Sequence, residues 1–131
     1  MTGQSFEALS QAIWVKMGYH VLRQGGAGDG GIDLVAFRDG ECLFMQCKAT
    51  SNDEKSLGWE AVKDVAAGEG KGRLKFPGYI TYRKLAITNQ SFNAAAKEHA
   101  DINNVELVER NWISNFLDEN VLTVKDILVS N

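Results

Sequence analysis

Two runs of apolar, β-prone residues lie back to back in the first half of the chain. They are Ile32-Asp33-Leu34-Val35-Ala36-Phe37 and Cys42-Leu43-Phe44-Met45-Gln46-Cys47-Lys48, separated by Arg38-Asp39-Gly40-Glu41. An Asp-Gly pair between such runs predicts a β-hairpin. With the turn on Asp39-Gly40, Arg38 faces Glu41, Phe37 faces Cys42, Val35 faces Phe44 and Asp33 faces Gln46, and a two-residue or a four-residue loop gives the same register. The remaining positions are nearly all apolar on both faces, the signature of strands in the middle of a sheet.

Elsewhere the periodicity is mostly helical. Phe6, Leu9, Ile13 and Met17 predict an amphipathic helix over 4–17, ended by Gly18. A short strand at 19–23 and a glycine loop at 25–30 lead into the hairpin. A polar loop at 52–56 precedes a helix over 57–67 with Leu57, Ala61, Val62 and Val65 apolar. Then follow an extended piece at 79–82, a strand at 85–88, a helix over 91–100 with Ser91 as N-cap, a strand at 105–108 and a helix over 111–120. With no internal repeat or boundary, this order predicts a single α/β domain spanning 1–131. Its mixed central sheet has about five strands flanked by helices, an α-βββ-α-β core plus an α-β-α extension.

Composition narrows the class. A chain of 131 residues with 44% apolar content and a single proline suits one globular domain rather than a disordered or fibrous one. No run approaches the eighteen or so apolar residues of a membrane helix, and Met1-Thr2-Gly3-Gln4-Ser5 lacks a signal segment, so the expectation is a cytoplasmic protein without a membrane partner. Cys42 and Cys47 point to opposite faces of one strand and cannot bridge, which suits reduced, packed thiols. His20 and His99 are too isolated to suggest a zinc site.

The net charge of −3 is unevenly spread: residues 63–97 hold seven Lys/Arg against two Asp/Glu. Lys63, Lys71, Arg73, Lys75, Arg83 and Lys84 are interleaved there with Phe76, Tyr79, Tyr82 and several glycines. A mobile basic segment of this kind could track a phosphate backbone; an ordinary solvated loop has the same composition.

Asp33, Gln46 and Lys48 share one face of the hairpin, bringing a carboxylate, an amide oxygen and an ammonium together. Ionisable groups in buried strands have either a task or a partner, and an Asp33–Lys48 ion pair at the strand ends remains the plain alternative. Gly26-Ala27-Gly28-Asp29-Gly30-Gly31 has the spacing of a dinucleotide fingerprint, but it opens a strand where that fingerprint opens a helix. The loop suits a sharp bend and close approach of a phosphate, with Asp29 either a second carboxylate or a turn residue.

An acid on one strand, then an acid or amide, any residue and Lys on the next, resembles the PD-(D/E)XK nuclease superfamily. Gly31-Ile32-Asp33 with Gln46-Cys47-Lys48 is similar to its Mrr-type, restriction-endonuclease-like branch, where Gln commonly replaces the second acid. Ser5-Phe6-Glu7-Ala8-Leu9 with Gly18-Tyr19, Ile87-Thr88-Asn89-Gln90-Ser91-Phe92 before Ala94-Ala95-Ala96, and Val105-Glu106-Leu107-Val108-Glu109-Arg110 extend the likeness over nearly the whole chain. Each motif is weak alone; their order and spacing are fairly specific.

The resemblance implies a metal-dependent DNA endonuclease. Asp33 and the Gln46 side-chain oxygen, with the Cys47 backbone carbonyl that the family adds, would hold Mg²⁺, with Mn²⁺ as its substitute. Lys48 would either activate the attacking water, a role favoured by an apolar setting, or stabilise developing charge. Glu7 lies off the apolar stripe of its helix, where the family carries an acid. It would restore the negative charge that Gln46 lacks, unless it is simply solvated. Lys71, Arg73, Lys75, Arg83, Lys84 and Gln90 are the candidate DNA contacts, although Gln90 suits a helix cap equally well. The DNA could be duplex, single-stranded or branched, the last implying a Holliday-junction resolvase. A homodimer or a separate recognition subunit would suit so small a domain. A catalytically inactive DNA-binding module is the competing class.

Overall fold

The computed structural model describes residues 2–24, 31–51, 56–122 and 126–127. Helix α1 (Gly3–Lys16) is capped by the Thr2 side chain, which accepts from the Ser5 N–H, and it ends where Gly18 takes φ +100°. Strands β1 (His20–Arg23), β2 (Leu34–Arg38) and β3 (Glu41–Lys48) form an antiparallel meander. The turn between β2 and β3 is the two-residue type: Asp39 and Gly40 both have positive φ, 48° and 81°. The register is the expected one, with Arg38 opposite Glu41, Phe37 opposite Cys42 and Val35 opposite Phe44.

From β3 the chain passes through a two-residue strand, β4 (Ser56–Leu57), into helix α2 (Glu60–Lys75) and back through β5 (Thr81–Thr88), parallel to β3. A two-residue β6 (Ser91–Phe92) pairs with β4, helix α3 (Ala94–Asn103) follows, β7 (Val105–Val108) lies parallel to β5, and α4 (Arg110–Glu119) closes the fold. The five-stranded sheet is ordered β1-β2-β3-β5-β7, which puts the apolar β3 at its centre. On one face Leu34, Leu43, Met45 and Ile87 pack against Phe6, Ile13 and Trp14 of α1 and Ile113 of α4. On the other, Val35, Phe44 and Ala86 pack against Ala61, Val62 and Val65 of α2 and Ala96 and Ala100 of α3. The expected α/β, restriction-endonuclease-like architecture is the observed one.

Three local expectations are corrected. Helix α2 runs through the glycine-rich stretch that composition marks as a loop. Gly68 and Gly72 lie on its buried face, and a Cβ at Gly72 would come within 2.8 Å of the Phe44 ring, so glycine here serves close helix–sheet packing. Residues 81–84 belong to β5 rather than to a separate extended piece. The cap of α3 is Asn93, whose side chain accepts from the Ala96 N–H, because Ser91 and Ser56 are taken into the β4–β6 pair. The loop expected at 25–30, with Asp29, lies outside the described residues, as do 52–55.

Candidate active site

The carboxyl ends of the parallel strands β3 and β5 define one edge of the sheet, and open α/β folds bind ligands at such edges. Asp33 reaches it just before β2 begins. Its N–H donates to the Met45 carbonyl at 2.8 Å, its carbonyl accepts from the Gln24 N–H at 2.7 Å, and its Oδ2 accepts from the Cys47 N–H at 2.8 Å. Backbone and side chain are therefore both clamped onto β3. The approach is fixed as well. Gly31 has φ +82°, and a Cβ there would lie 2.4 Å from the Asp64 carbonyl oxygen of α2, so only glycine lets the chain pass this close.

In a strand the N–H and C=O of one residue point to the same side. The Cys47 carbonyl therefore faces the Asp33 carboxylate, beyond the end of β2. Gln46 is half-buried, and its Oε1 is a buried acceptor without a hydrogen-bond partner. Leaving such an oxygen unmet costs about 1–3 kcal/mol, a cost that native structures sustain where a ligand or ion meets the group. Glu7 of α1 stands 3.7 Å from Arg23 of β1. The Cys47 thiol is pushed up by burial, then by the Asp33 charge, with Glu7 pushing it up further. The charges of Asp33 and Glu7 therefore both act on the Cys47 thiol.

Lys48 ends β3 and is exposed, so the apolar setting that would favour a base is absent. It forms no ion pair with Asp33 or any other described carboxylate, which removes the strand-end ion pair as an account of these residues. Among the described residues no three His, Cys, Asp or Glu side chains cluster as metal ligands. The donor set is a mixed one instead, with a carboxylate, an amide oxygen and a backbone carbonyl, all hard oxygens of the kind Mg²⁺ and Mn²⁺ prefer. Cys42 is buried on the α2 face, where burial pushes its thiol up to about 12, so neither cysteine is a nucleophile.

The six candidate DNA contacts separate. Lys71 and Lys75 line the surface over Ile32, next to Asp33, and Lys75 Nζ donates to Gln24 Oε1 at 2.7 Å. Gln90 lies two residues beyond Thr88, the neighbour of Lys48. It is buried, and its Oε1 accepts from Arg110 Nη1 at 3.1 Å. Arg73 pairs with Glu69 at 2.8 Å and stacks over Tyr82. Lys84 is drawn inward to Glu69 at 3.0 Å and to the Asn103 carbonyl at 2.6 Å. Arg83 is at the opposite edge of the sheet, bonded to Glu106 and Glu41. Arg73, Arg83 and Lys84 thus each have a carboxylate partner within the fold.

Asn89 has a positioning role that the sequence reading did not give it. Its Oδ1 accepts from the Thr50 N–H and its Nδ2 donates to the Thr50 carbonyl, both at 2.9 Å, tying the segment after Lys48 to the end of β5. An Asn directly after a strand was the available signal. The Arg23 partner of Glu7 had none, because the two meet only through tertiary packing.

A family model described as Mrr_cat, restriction endonuclease, matches residues 1–117. The chain is 30% identical over 86 residues to the crossover junction endodeoxyribonuclease Hjc of Methanocaldococcus jannaschii, a match covering 61% of this chain and 63% of that protein. Among solved structures it resembles the crystal structure of AF1548, a protein of unknown function, with TM-score 0.71, 21% identity, and 88% of this chain and 65% of that one covered. It also resembles the MspJI restriction endonuclease in complex with a 27-mer oligonucleotide, with TM-score 0.60, 17% identity, and 86% of this chain against 27% of that one. The matched region spans just under two thirds of both Hjc and AF1548.

Proposed function

The chain belongs to the Mrr_cat restriction endonuclease family, and we propose that it is a divalent-metal-dependent endonuclease hydrolysing phosphodiester bonds in DNA. The observation that carries this reading is the buried, partnerless Gln46 Oε1 beside an Asp33 carboxylate clamped by the Cys47 N–H. Asp33, Gln46 and the Cys47 carbonyl would hold Mg²⁺, or Mn²⁺ in its place, with Glu7 supplying the negative charge an amide lacks. When bound, such an ion would polarise the phosphoryl oxygens and lower the pKa of a coordinated water.

The protein groups do the rest. Asp33 is held from three directions, so its carboxylate needs no reorganisation when substrate arrives. Lys48 is exposed and has no carboxylate partner among the described residues, which suits stabilising the charge that develops on the phosphate. Lys71 and Lys75, on the surface over Ile32, would supply positive charge to a strand phosphate. An inactive binding module would be better served by a Lys48–Asp33 pair filling the site. The likeness to a protein named as a crossover junction endodeoxyribonuclease favours branched DNA among the substrates, and a homodimer would supply the two centres that cutting paired strands needs.

The test is incubation of the purified chain with supercoiled plasmid, single-stranded DNA and a four-way junction in Mg²⁺, Mn²⁺ or EDTA. Cutting that needs metal and disappears in both Asp33→Ala and Lys48→Ala is expected. Binding to DNA without cutting of any substrate would support the binding module.

A further inference from the structure

Next to the candidate centre, on the α1–α4 face of the same edge, lies an open cleft of about 340 Å³ that the catalytic reading leaves unused. Its floor is apolar, from Phe6 and Ile113, and its rim is polar, from Ser51, Asn89, Gln90 and Arg110. Ser51 is three residues beyond Lys48, and Asn89 pins the segment between them. The cleft is therefore rigidly connected to the strand end bearing Lys48.

Arg110 differs from Arg73 and Arg83 in its partner. Arg73 and Arg83 face carboxylates, whereas Arg110 Nη1 donates to the neutral amide oxygen of Gln90, which is itself buried. Its backbone N–H also donates to the Gln90 carbonyl, at 2.9 Å. The guanidinium is exposed, oriented by an uncharged partner, and keeps its full positive charge at the mouth of the cleft.

We infer that this cleft is a subsite for the DNA strand beside the scissile bond, in which Arg110 binds a backbone phosphate and the apolar floor receives the adjoining sugar. The inference rests on the endonuclease reading and extends it to a second contact point. It explains why Gln90 is buried yet polar: it orients Arg110, as a positioning residue, rather than touching the substrate.

The test is DNA binding measured by fluorescence anisotropy in EDTA, so that no cutting occurs, over a series of salt concentrations. One phosphate contact contributes about 0.9 to the slope of log K against log salt for duplex DNA, equivalent to about an eightfold change in Kd at 0.1 M salt. Arg110→Ala is expected to lose that increment. Arg110→Lys should keep most of it, and Gln90→Glu, which sets a carboxylate against the guanidinium, should behave like the alanine variant. Arg83→Ala, at the far edge, should leave the slope unchanged. If Arg110→Ala, folded with the wild-type melting temperature, retains the wild-type Kd and slope, the inference is overturned even where the native chain cuts DNA. Failure of the native chain to bind or cut any DNA would instead remove the parent reading.

Discussion

The two edges of the central sheet use the same kinds of side chain to opposite ends. Where the parallel strands begin, Arg83 bonds to Glu106 and Glu41, the Tyr19 hydroxyl donates to Glu41, and Arg38 lies over the Tyr19 ring and donates to its hydroxyl. This network is closed: each carboxylate is met by donors and each guanidinium by acceptors. Where the strands end, among the described residues Gln46 Oε1 is unmet, Lys48 has no counter-ion, and Arg110 leans on a neutral amide. Polar groups satisfied within the fold hold it together, and groups left incomplete are available to a ligand.

The contrast is broken most severely by emptying the open edge. Asp33→Ala and Lys48→Ala should each reduce DNA cleavage on the order of a thousandfold or more, Lys48→Ala with a melting temperature close to wild type and Asp33→Ala with a lower one, because the Cys47 N–H loses its acceptor. Activity and calorimetric melting measured on the same preparations check this. Gly31→Ala should act on both properties. A Cβ 2.4 Å from the Asp64 carbonyl, at φ +82°, forces the chain off α2, costing about 3 kcal/mol in denaturant unfolding and displacing Asp33.

Gln46→Glu sharpens the comparison by adding the missing charge. Mn²⁺ affinity should rise about tenfold, a gain of about 1.4 kcal/mol, while the metal-free protein is no more stable, since the new carboxylate sits near Asp33. At the closed edge, Arg83→Ala should cost about 1 kcal/mol of stability and leave the catalytic rate unchanged, because the pairs it breaks are partly exposed.

The smallest effect is a pH dependence. Burial pushes the Glu41 carboxyl up, but hydrogen bonds from Tyr19 and Arg83 and the charges of Arg83 and Arg38 outweigh it and hold the group below its ordinary value of 4.5. A carboxyl depressed in the folded state stabilises the protein above its unfolded value and loses that contribution as pH falls through the folded one. Melting temperature should therefore drop on acidification below about pH 4.5, less steeply in Glu41→Gln than in wild type.

Much of this was legible in the sequence, for local reasons. The Asp-Gly turn fixes the hairpin register, and that register carries Gln46 and Lys48 to the strand end beside Asp33. What was not legible depends on partners distant in sequence. Glycines at 68 and 72 signal a loop by composition, and only the Phe44 ring lying against Gly72 explains why they sit within a helix. The basic run at 71–84 looks like a single DNA-binding surface. Helix and strand geometry splits it, sending Lys71 and Lys75 to the surface over Ile32, Arg73 and Lys84 to Glu69, and Arg83 to the far edge. Counting charges along the chain does not reveal which of them are already neutralised.

The most direct test of the open edge is a calorimetric titration of Mn²⁺ into the metal-free protein, its Asp33→Ala variant and its Arg83→Ala variant. Saturable binding in the wild type, lost in Asp33→Ala and unchanged in Arg83→Ala, is the predicted result. Binding that survives Asp33→Ala at wild-type affinity, or no binding by the wild type, would contradict the assignment of Asp33 and Gln46 as the centre of a metal-dependent nuclease.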